Sequence, residues 1–413
     1  MPDETSQRAS ASAGPLAGVR VLELGSFVAA PMAARMLADF GAEVIKVELP
    51  GRGDELRNWG VMLDTTSGPL SAWWLATARN KRLVTLDLRQ PAGRDLALKI
   101  IEQADIVIEN FRPGRLNAWG LDYESMRAVN PRVVLVRISG FGQTGPYSDR
   151  AGYGHVSESM GGLRYVTGYP DRPPVRVGVS LGDALAAQQA VFGAMMALRV
   201  AEREGRGQIV DVAITEAVFA LTEDMITAYT HKGIVRERAG NSLLRAAPSS
   251  VYSTQDGHWL AVGGNGENVF RRLAQAMGRP ELADDPRFCD NRARVAHIVE
   301  LDEIIGAWVA GQPLATTQAL LDEAGVPAGP VMSIADIAAN EQYQARGMIA
   351  SVPDERLPEG SATLQGIIPT LTDTPGAINW AGGDLGADNT YVYREVLGLS
   401  AEELERLASE RVI

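Results

Sequence analysis

The apolar positions of this chain fall into short continuous runs separated by stretches of helical spacing. Residues 18–25, G-V-R-V-L-E-L-G, make an apolar run closed by a glycine, the pattern of a buried strand. A loop of small residues follows. Pro31 suits the first turn of a helix, and 32–40 keeps helical spacing up to Gly41. The run E-V-I-K-V-E at 43–48 is a second strand. This βαβ unit of about 30 residues predicts parallel strands joined by a right-handed crossover. Apolar runs at 83–88, 104–110, 132–139 and 208–213 predict four further strands, with one helix ending near Gln103 and another running from Asp183 to Glu204. The alternation predicts an α/β fold with a doubly wound sheet. Such sheets gather ligands at the C-terminal ends of their strands.

The pattern changes after the sixth strand. A long helix is predicted over 216–231, then a hairpin of 251–254 and 259–263 around Asp256 and Gly257. Helical segments at 267–277, 293–308 and 315–324 complete a smaller α+β domain. Pro327, Pro330, Pro353, Pro358, Pro369 and Pro375 punctuate an extended return path. A last helix over 401–410 has Ser400 as N-cap and Glu403 at the capping-box position. The expected organisation is a disordered tail over 1–14, a large domain beginning with 15–215, a small domain over 216–335, and a return linker with the rest of the large domain over 336–413.

Composition narrows the function classes. With 413 residues and a formal charge of −12, the chain is an unsuitable partner for nucleic acid or an anionic membrane, both of which select basic surfaces. Its single cysteine, Cys289, excludes an internal disulfide and fits a cytoplasmic, reducing compartment. The four histidines are scattered, so no metal site is expected. No stretch approaches eighteen uncharged apolar residues, and the polar start lacks the pattern of a signal peptide. Glu48 ends the second strand, as a ribose-binding carboxylate would. Yet the preceding turn reads G-S-F-V-A-A-P, not G-x-G-x-x-G, which disfavours a dinucleotide.

One stretch, 177–187, reads as an extended apolar segment, a glycine, Asp183, and an alanine-rich helix start. A carboxylate at such a strand-to-helix turn either caps the helix or is presented as a nucleophile with little side-chain cover. The local pattern alone favours the cap.

The ordered phrases around it carry more. They are G-V-R-V-L-E-L at 18–24 with Pro31, G-A-E-V-I-K-V-E at 41–48, N-K-R at 80–82, and N-F-R-P-G at 110–114. G-F-G-Q-T-G-P at 140–146, G-D at 182–183, G-R-G-Q at 205–208 and G-V-P-A-G-P at 325–330 complete the set. In order and spacing this resembles the family III CoA-transferases, the group of formyl-CoA transferase and the carnitine CoA-transferases. The resemblance implies a Rossmann-like large domain built from both chain ends, a small domain between them, and two ring-shaped subunits interlocked as a homodimer. It implies that Asp183 is the nucleophile, which reverses the local reading. No permanently bound cofactor is implied; coenzyme A thioesters are substrates.

Positions matching the family's CoA contacts are Val28, Ala29, Leu86, Arg89, Asn110, Phe111, Arg112, Ala151 and Tyr153, with Arg150 beside a matched position. Val28 replaces a glutamine of formyl-CoA transferase, which argues against oxalate chemistry. Ala118 replaces a basic residue common in the family, and Arg115 lies one helical turn earlier. The segment 159–178 and Trp119 are similar to the subgroup that uses succinyl-CoA with malate, citramalate or mesaconate. A dicarboxylate acceptor leaves one carboxylate for an arginine clamp, with Arg164, Arg176 and Arg245 as candidates. Gly263, Gly264 and Gly266 either form a covering loop or simply end the hairpin. The competing readings are an α-methylacyl-CoA racemase-like isomerase, an acyl-CoA hydrolase, and a non-catalytic CoA-binding protein. The racemase needs a histidine where this chain has Tyr153, although Glu267 matches another racemase position. An unperturbed tyrosine titrates near ~10, too high for easy proton abstraction at neutral pH.

Overall fold

The computed structural model describes residues 14–66 and 68–413, so the tail expected over 1–14 lies outside the described residues except for Gly14. Six of the apolar runs are strands of one sheet: β1 (Arg20–Glu23), β2 (Glu43–Glu48), β3 (Lys81–Thr85), β4 (Ile106–Glu109), β5 (Val134–Ser139) and β6 (Ile209–Ala213). They pair in the order β3-β2-β1-β4-β5-β6, and every pairing is parallel. The order reverses between β1 and β4, which opens a crevice beyond their C-terminal ends.

Alternate strand residues point to opposite faces, and both faces are covered. On one side Val21, Val44, Ile106 and Ile108 join a core with α1 (Ala29–Asp39). On the other Leu22, Ile45, Val107 and Leu135 pack with α2 (Pro91–Ile101) and with Tyr393 and Leu407 from the end of the chain. Three more helices complete the first side: α3 (Gly154–Met160), α4 (Leu181–Glu204) and α5 (Ile214–Phe219). Helix α4 presents Ala186, Ala187, Ala190, Ala194, Ala197 and Ala201 to that core. These small residues let a long helix lie close to the strands. Among the described residues α4 is the one helix long and apolar enough to cross a membrane by length and composition, but its alanine face is core.

The chain divides into two compact units. The larger holds the residues up to Leu163, Gly178–Glu223 and Gln342–Ile413; the smaller holds Arg164–Val177 and Asp224–Glu341. The smaller unit therefore takes in 164–177, which the sequence pattern leaves with the large domain, and it runs to 341 instead of 335. It contains an antiparallel sheet of β7 (Ser249–Ser253), β8 (Trp259–Gly263) and β9 (Ala328–Pro330) in the order β9-β8-β7. Its own core is built by Leu260, Phe270, Leu273, Phe288, Leu301 and Ile305.

Four local expectations need correction. The helix expected over 216–231 is two, α5 and Met225–Lys232, because Glu223 adopts a left-handed φ of 52° where the chain leaves the larger unit. Strand β3 begins at Lys81, two residues before the apolar run, because Lys81 and Arg82 find buried partners. No strand precedes α4, so Asp183 lies inside the first helical turn instead of at a strand end. The extended return path contains two short helices, Ile334–Ala339 and Glu341–Ala345, and a hairpin of β10 (Ile349–Pro353) and β11 (Ser361–Gln365). The last helix, Ala401–Ser409, has the expected capping box of Ser400 and Glu403.

A buried ion network underlies the loops that leave β1 and β2. Lys46 Nζ lies 2.9 Å from Glu23 Oε1 and 2.8 Å from Asp54 Oδ2, and donates to Gly25 O at 3.0 Å. Lys81 Nζ lies 2.7 Å from Glu23 Oε2 and donates to Pro31 O at 2.8 Å. Burial opposes the charge of Lys46, yet Asp54 and Glu23 hold its pKa above the ordinary lysine value. At Lys81 burial wins over the pull of Glu23, and the pKa falls to about 8.

Two measurements test this network. Lys46→Met leaves Asp54 buried without its cation, and urea denaturation is expected to show a loss of about 3–5 kcal/mol. Lys81 is depressed in the folded state and ordinary, near ~10.4, in the unfolded chain. The unfolded state therefore binds more protons between those values, and the contribution of Lys81 to stability rises with pH across that window. Denaturation at pH 8 and pH 10 is expected to show the wild type gaining on Lys81→Met as pH rises.

Candidate active site

Asp183 is the third residue of α4, after the N-cap Ser180, whose side chain makes no capping bond. Nearby amides are already engaged: Leu181 N donates to Val179 O at 2.9 Å and Ala184 N to Ser180 O at 3.0 Å. Gly182 N donates to Oε1 of the buried Glu158 at 3.1 Å. None of these three N–H groups is therefore free to serve an oxyanion.

The carboxylate of Asp183 lies against the first residue of α3. A methyl group on Gly154 would stand 2.2 Å from Asp183 Oδ2, closer than any packing tolerates. Gly182 plays the reciprocal part. A methyl group there would stand 3.1 Å from Glu158 Cγ and 3.3 Å from Ile214 Cγ2. The missing side chain of Gly182 therefore lets α3 approach α4. Gly154 is the residue that makes room for the carboxylate.

From α3 an aromatic path leads back to β1. Tyr153, the N-cap of α3, is 67% exposed, and its ring lies 6.4 Å from that of Phe27. Phe27 in turn meets Trp59 edge-on at 5.1 Å. Phe27 adopts a left-handed φ of 65°, a costly backbone state for a bulky residue. It is held by its N–H bond to Asp54 Oδ1 at 3.2 Å. Burial opposes ionisation of Asp54, but Lys46 and the N–H groups of Leu56 and Phe27 hold its pKa below the usual carboxylate value. The buried network thus fixes the loop that carries Phe27.

Phe27 also lines a cavity of about 240 Å³ beyond the C-terminal ends of the strands, with Val47, Leu86, Arg89, Phe111 and Trp119 among its other walls. The expected CoA contacts Leu86, Arg89 and Phe111 meet there. Trp119 packs edge-on against Phe111 at 5.1 Å, and Glu109 Oε2 accepts the Phe111 N–H at 2.6 Å. Burial raises the pKa of Glu109 despite the neighbouring Arg137. Arg89 is paired with Asp87 through Nε at 2.7 Å and Nη2 at 2.8 Å, so a phosphate there would compete with an internal carboxylate.

The remaining expected contacts divide by what they touch. Asn110 uses its amide on both sides of Ser26, accepting from Ser26 N at 2.9 Å and donating to Ser26 O at 2.8 Å. Its amide thereby braces the loop after β1. Ala29 is buried in the core and Val28 half-buried beside Phe27. Arg112 and Ala151 are exposed, and Arg150 stacks over the Tyr147 ring at 3.6 Å. Arg164, Arg176 and Arg245 all belong to the smaller unit, where Arg245 is paired with Asp224. Gly263 and Gly264 donate to Pro327 O and Pro248 O, and Gly266 is the N-cap of Glu267–Ala276, a structural use for all three. A cavity of about 390 Å³ lies at the opposite, N-terminal end of the sheet, but its Arg20, Glu43, Gln103 and Tyr391 bond to one another.

The family model for CoA-transferase family III matches residues 16–389, a span that includes both the cavity and Asp183. This chain belongs to CoA-transferase family III. The transferase is 48% identical over 399 residues to the succinyl-CoA–D-citramalate CoA-transferase of Chloroflexus aurantiacus, covering 97% of this chain and 98% of that one. It is 41% identical to the alpha subunit of the succinyl-CoA–L-malate CoA-transferase of the same organism, covering 97% and 92%. Among solved structures, a CAIB/BAIF family protein from Brucella suis superposes with a TM-score of 0.83 at 34% identity, covering 93% of this chain and 100% of that one.

The glutamate that matches a racemase position is engaged in an ion pair. Glu267 accepts from Arg294 at 2.9 Å and from Asn291 N at 3.0 Å, and the Arg294 bond lowers its pKa. Glu158 was not foreseen as a site residue, because nothing in the string marks two helices as meeting there. Phe27 had a visible signal, a lone aromatic in a loop of small residues. Replacing Gly154 with alanine is expected to push the Asp183 carboxylate aside and cut kcat by roughly 10²-fold, since misplacement by about 1 Å costs that much. Thermal unfolding measured alongside is expected to fall much less steeply.

Proposed function

We propose that this transferase moves CoA from succinyl-CoA to a small dicarboxylate such as malate, citramalate or mesaconate, with Asp183 as the nucleophile. The observation that carries this reading is the seating of the Asp183 carboxylate against Gly154, a position that any side chain would block. The names of the citramalate and malate transferases supply the donor and the acceptor class.

The chemistry follows from what a carboxylate can become. An Asp183 oxygen attacks the thioester carbonyl, the C–S bond breaks, and CoA leaves as thiolate while an aspartyl succinyl anhydride forms. The thiolate attacks the Asp183 acyl carbon, which releases succinate and leaves an aspartyl-CoA thioester. The acceptor carboxylate attacks that thioester, regenerating thiolate and a new anhydride. Attack of the thiolate on the acceptor's acyl carbon then frees Asp183 and the new acyl-CoA. One thioester is broken and one made, so the exchange is close to isoenergetic.

CoA is read into the cavity walled by Leu86, Phe111 and Trp119, with Arg89 at its edge. The unreacted carboxylate of the acceptor is assigned to Arg164, Arg176 or Arg245; Arg245 would exchange Asp224 for it. We read the assembly as a homodimer acting in the cytoplasm. The outer face of α4 supports the dimer, with Phe192 63% and Met196 52% exposed beside its alanine core face.

Incubation with succinyl-CoA and a panel of dicarboxylates is expected to yield the CoA ester of malate, citramalate or mesaconate together with succinate. Release of free CoA alone, or exchange at the α-carbon without transfer, would instead support the hydrolase or isomerase readings. Asp183→Ala is expected to lose at least ~10³-fold in transfer, and hydroxylamine added after the donor is expected to convert Asp183 to a hydroxamate detectable by mass spectrometry.

A further inference from the structure

We propose that Glu158 is a positioning residue for Asp183, an inference that rests on Asp183 being the nucleophile. Glu158 lies on α3 one turn after Gly154, and it is only 1% exposed. Its Oε1 accepts the N–H of Gly182, the residue immediately before Asp183, at 3.1 Å. The N-cap residue of α4, Ser180, contributes no side-chain bond. The first turn of the nucleophile's helix is thus held by an acceptor from a different helix.

That arrangement couples two contacts. Helix α3 touches Asp183 at Gly154, where the carboxylate leaves no room for a methyl group, and touches the residue before it at Glu158. Glu158 Cγ packs on the Gly182 backbone as well, so both the bond and the aliphatic stem of Glu158 fix the separation of the helices. Burying a carboxylate is costly, and a neutral capping oxygen from Ser180 would satisfy the same N–H. What Ser180 could not do is register α3 against α4. Glu158 sets how far the Asp183 carboxylate projects over Gly154, and that projection is the reach of the nucleophile.

The test compares Glu158→Gln, which keeps an acceptor oxygen and the stem, with Glu158→Ala and Glu158→Leu, which lose the acceptor. The expected result is transfer within about threefold of wild type for the Gln variant. For Ala and Leu, kcat is expected to fall by roughly 10- to 100-fold with the KM for succinyl-CoA unchanged within about twofold. Hydroxylamine trapping at Asp183 should slow by the same factor as kcat. Leu fills the volume that Ala vacates, so it supplies the comparison if the Ala variant does not fold. Wild-type kcat in a folded Ala or Leu variant overturns the proposal. So does a Gln variant as damaged as the Leu variant, or a loss that appears in KM instead of kcat. Asp183→Ala, assayed in parallel, separates the levels: full transfer there removes the nucleophile assignment itself. Loss in Asp183→Ala beside wild-type rates in Glu158→Leu removes only the role of Glu158.

Discussion

A lysine enclosed by carboxylates fixes the ligand-facing end of the sheet. Lys46 is drawn from β2, Glu23 from the end of β1, and Asp54 from the loop after β2, while Lys81 enters from β3. Buried ions contribute little net stability when compared with a well-packed apolar alternative. Their value here is directional. Lys46 holds Gly25 O and Asp54 holds the N–H of Phe27 in the loop between β1 and α1, while Lys81 holds Pro31 O in the first turn of α1. The left-handed backbone of Phe27 persists because these bonds over-determine it. Asn110 adds a further grip on the loop through Ser26.

Asp183 is placed by a different device. Two helices are brought together by glycines at their point of contact, one under the carboxylate and one beside it. The cavity side of the site depends on charge and the Asp183 side on close backbone approach. Phe27, meeting both the cavity and Tyr153, joins the two.

Much of the fold was legible in the string because a parallel sheet writes continuous apolar runs. All six strands fall where those runs lie. The start of β3 was misread, since Lys81 and Arg82 look like surface charges until Glu23 and Asp388 are seen beside them. The break between α5 and the next helix was invisible because it depends on a change of packing partner, not on a Gly or Pro. At the site, Asp183 stood out through the ordered family phrases, and local pattern alone favoured a cap. Glu158 could not be found that way: a glutamate in a short polar stretch reads as solvated, and only the fold makes it 1% exposed. That the Asn110 amide binds both sides of Ser26 was not legible, because sequence similarity does not show which residues shape the loop.

The larger unit is not contiguous in the chain, and this has a consequence for how the protein comes into being. Residues 342–413 return to finish what the first half began: Asp388 takes the Leu83 N–H and Arg82, Tyr393 bonds Thr85 O, and Val412 O accepts the N–H of Asp87 on the cavity wall. A nascent chain that has already emerged through Glu341 holds Asp183 and can complete the smaller unit, yet β3 and the loop after it still lack their partners. The crevice beyond the strands is therefore completed only once residues 342–413 have joined it, and until then the chain carries an apolar, half-finished sheet, the stage at which multi-unit proteins are most prone to aggregate.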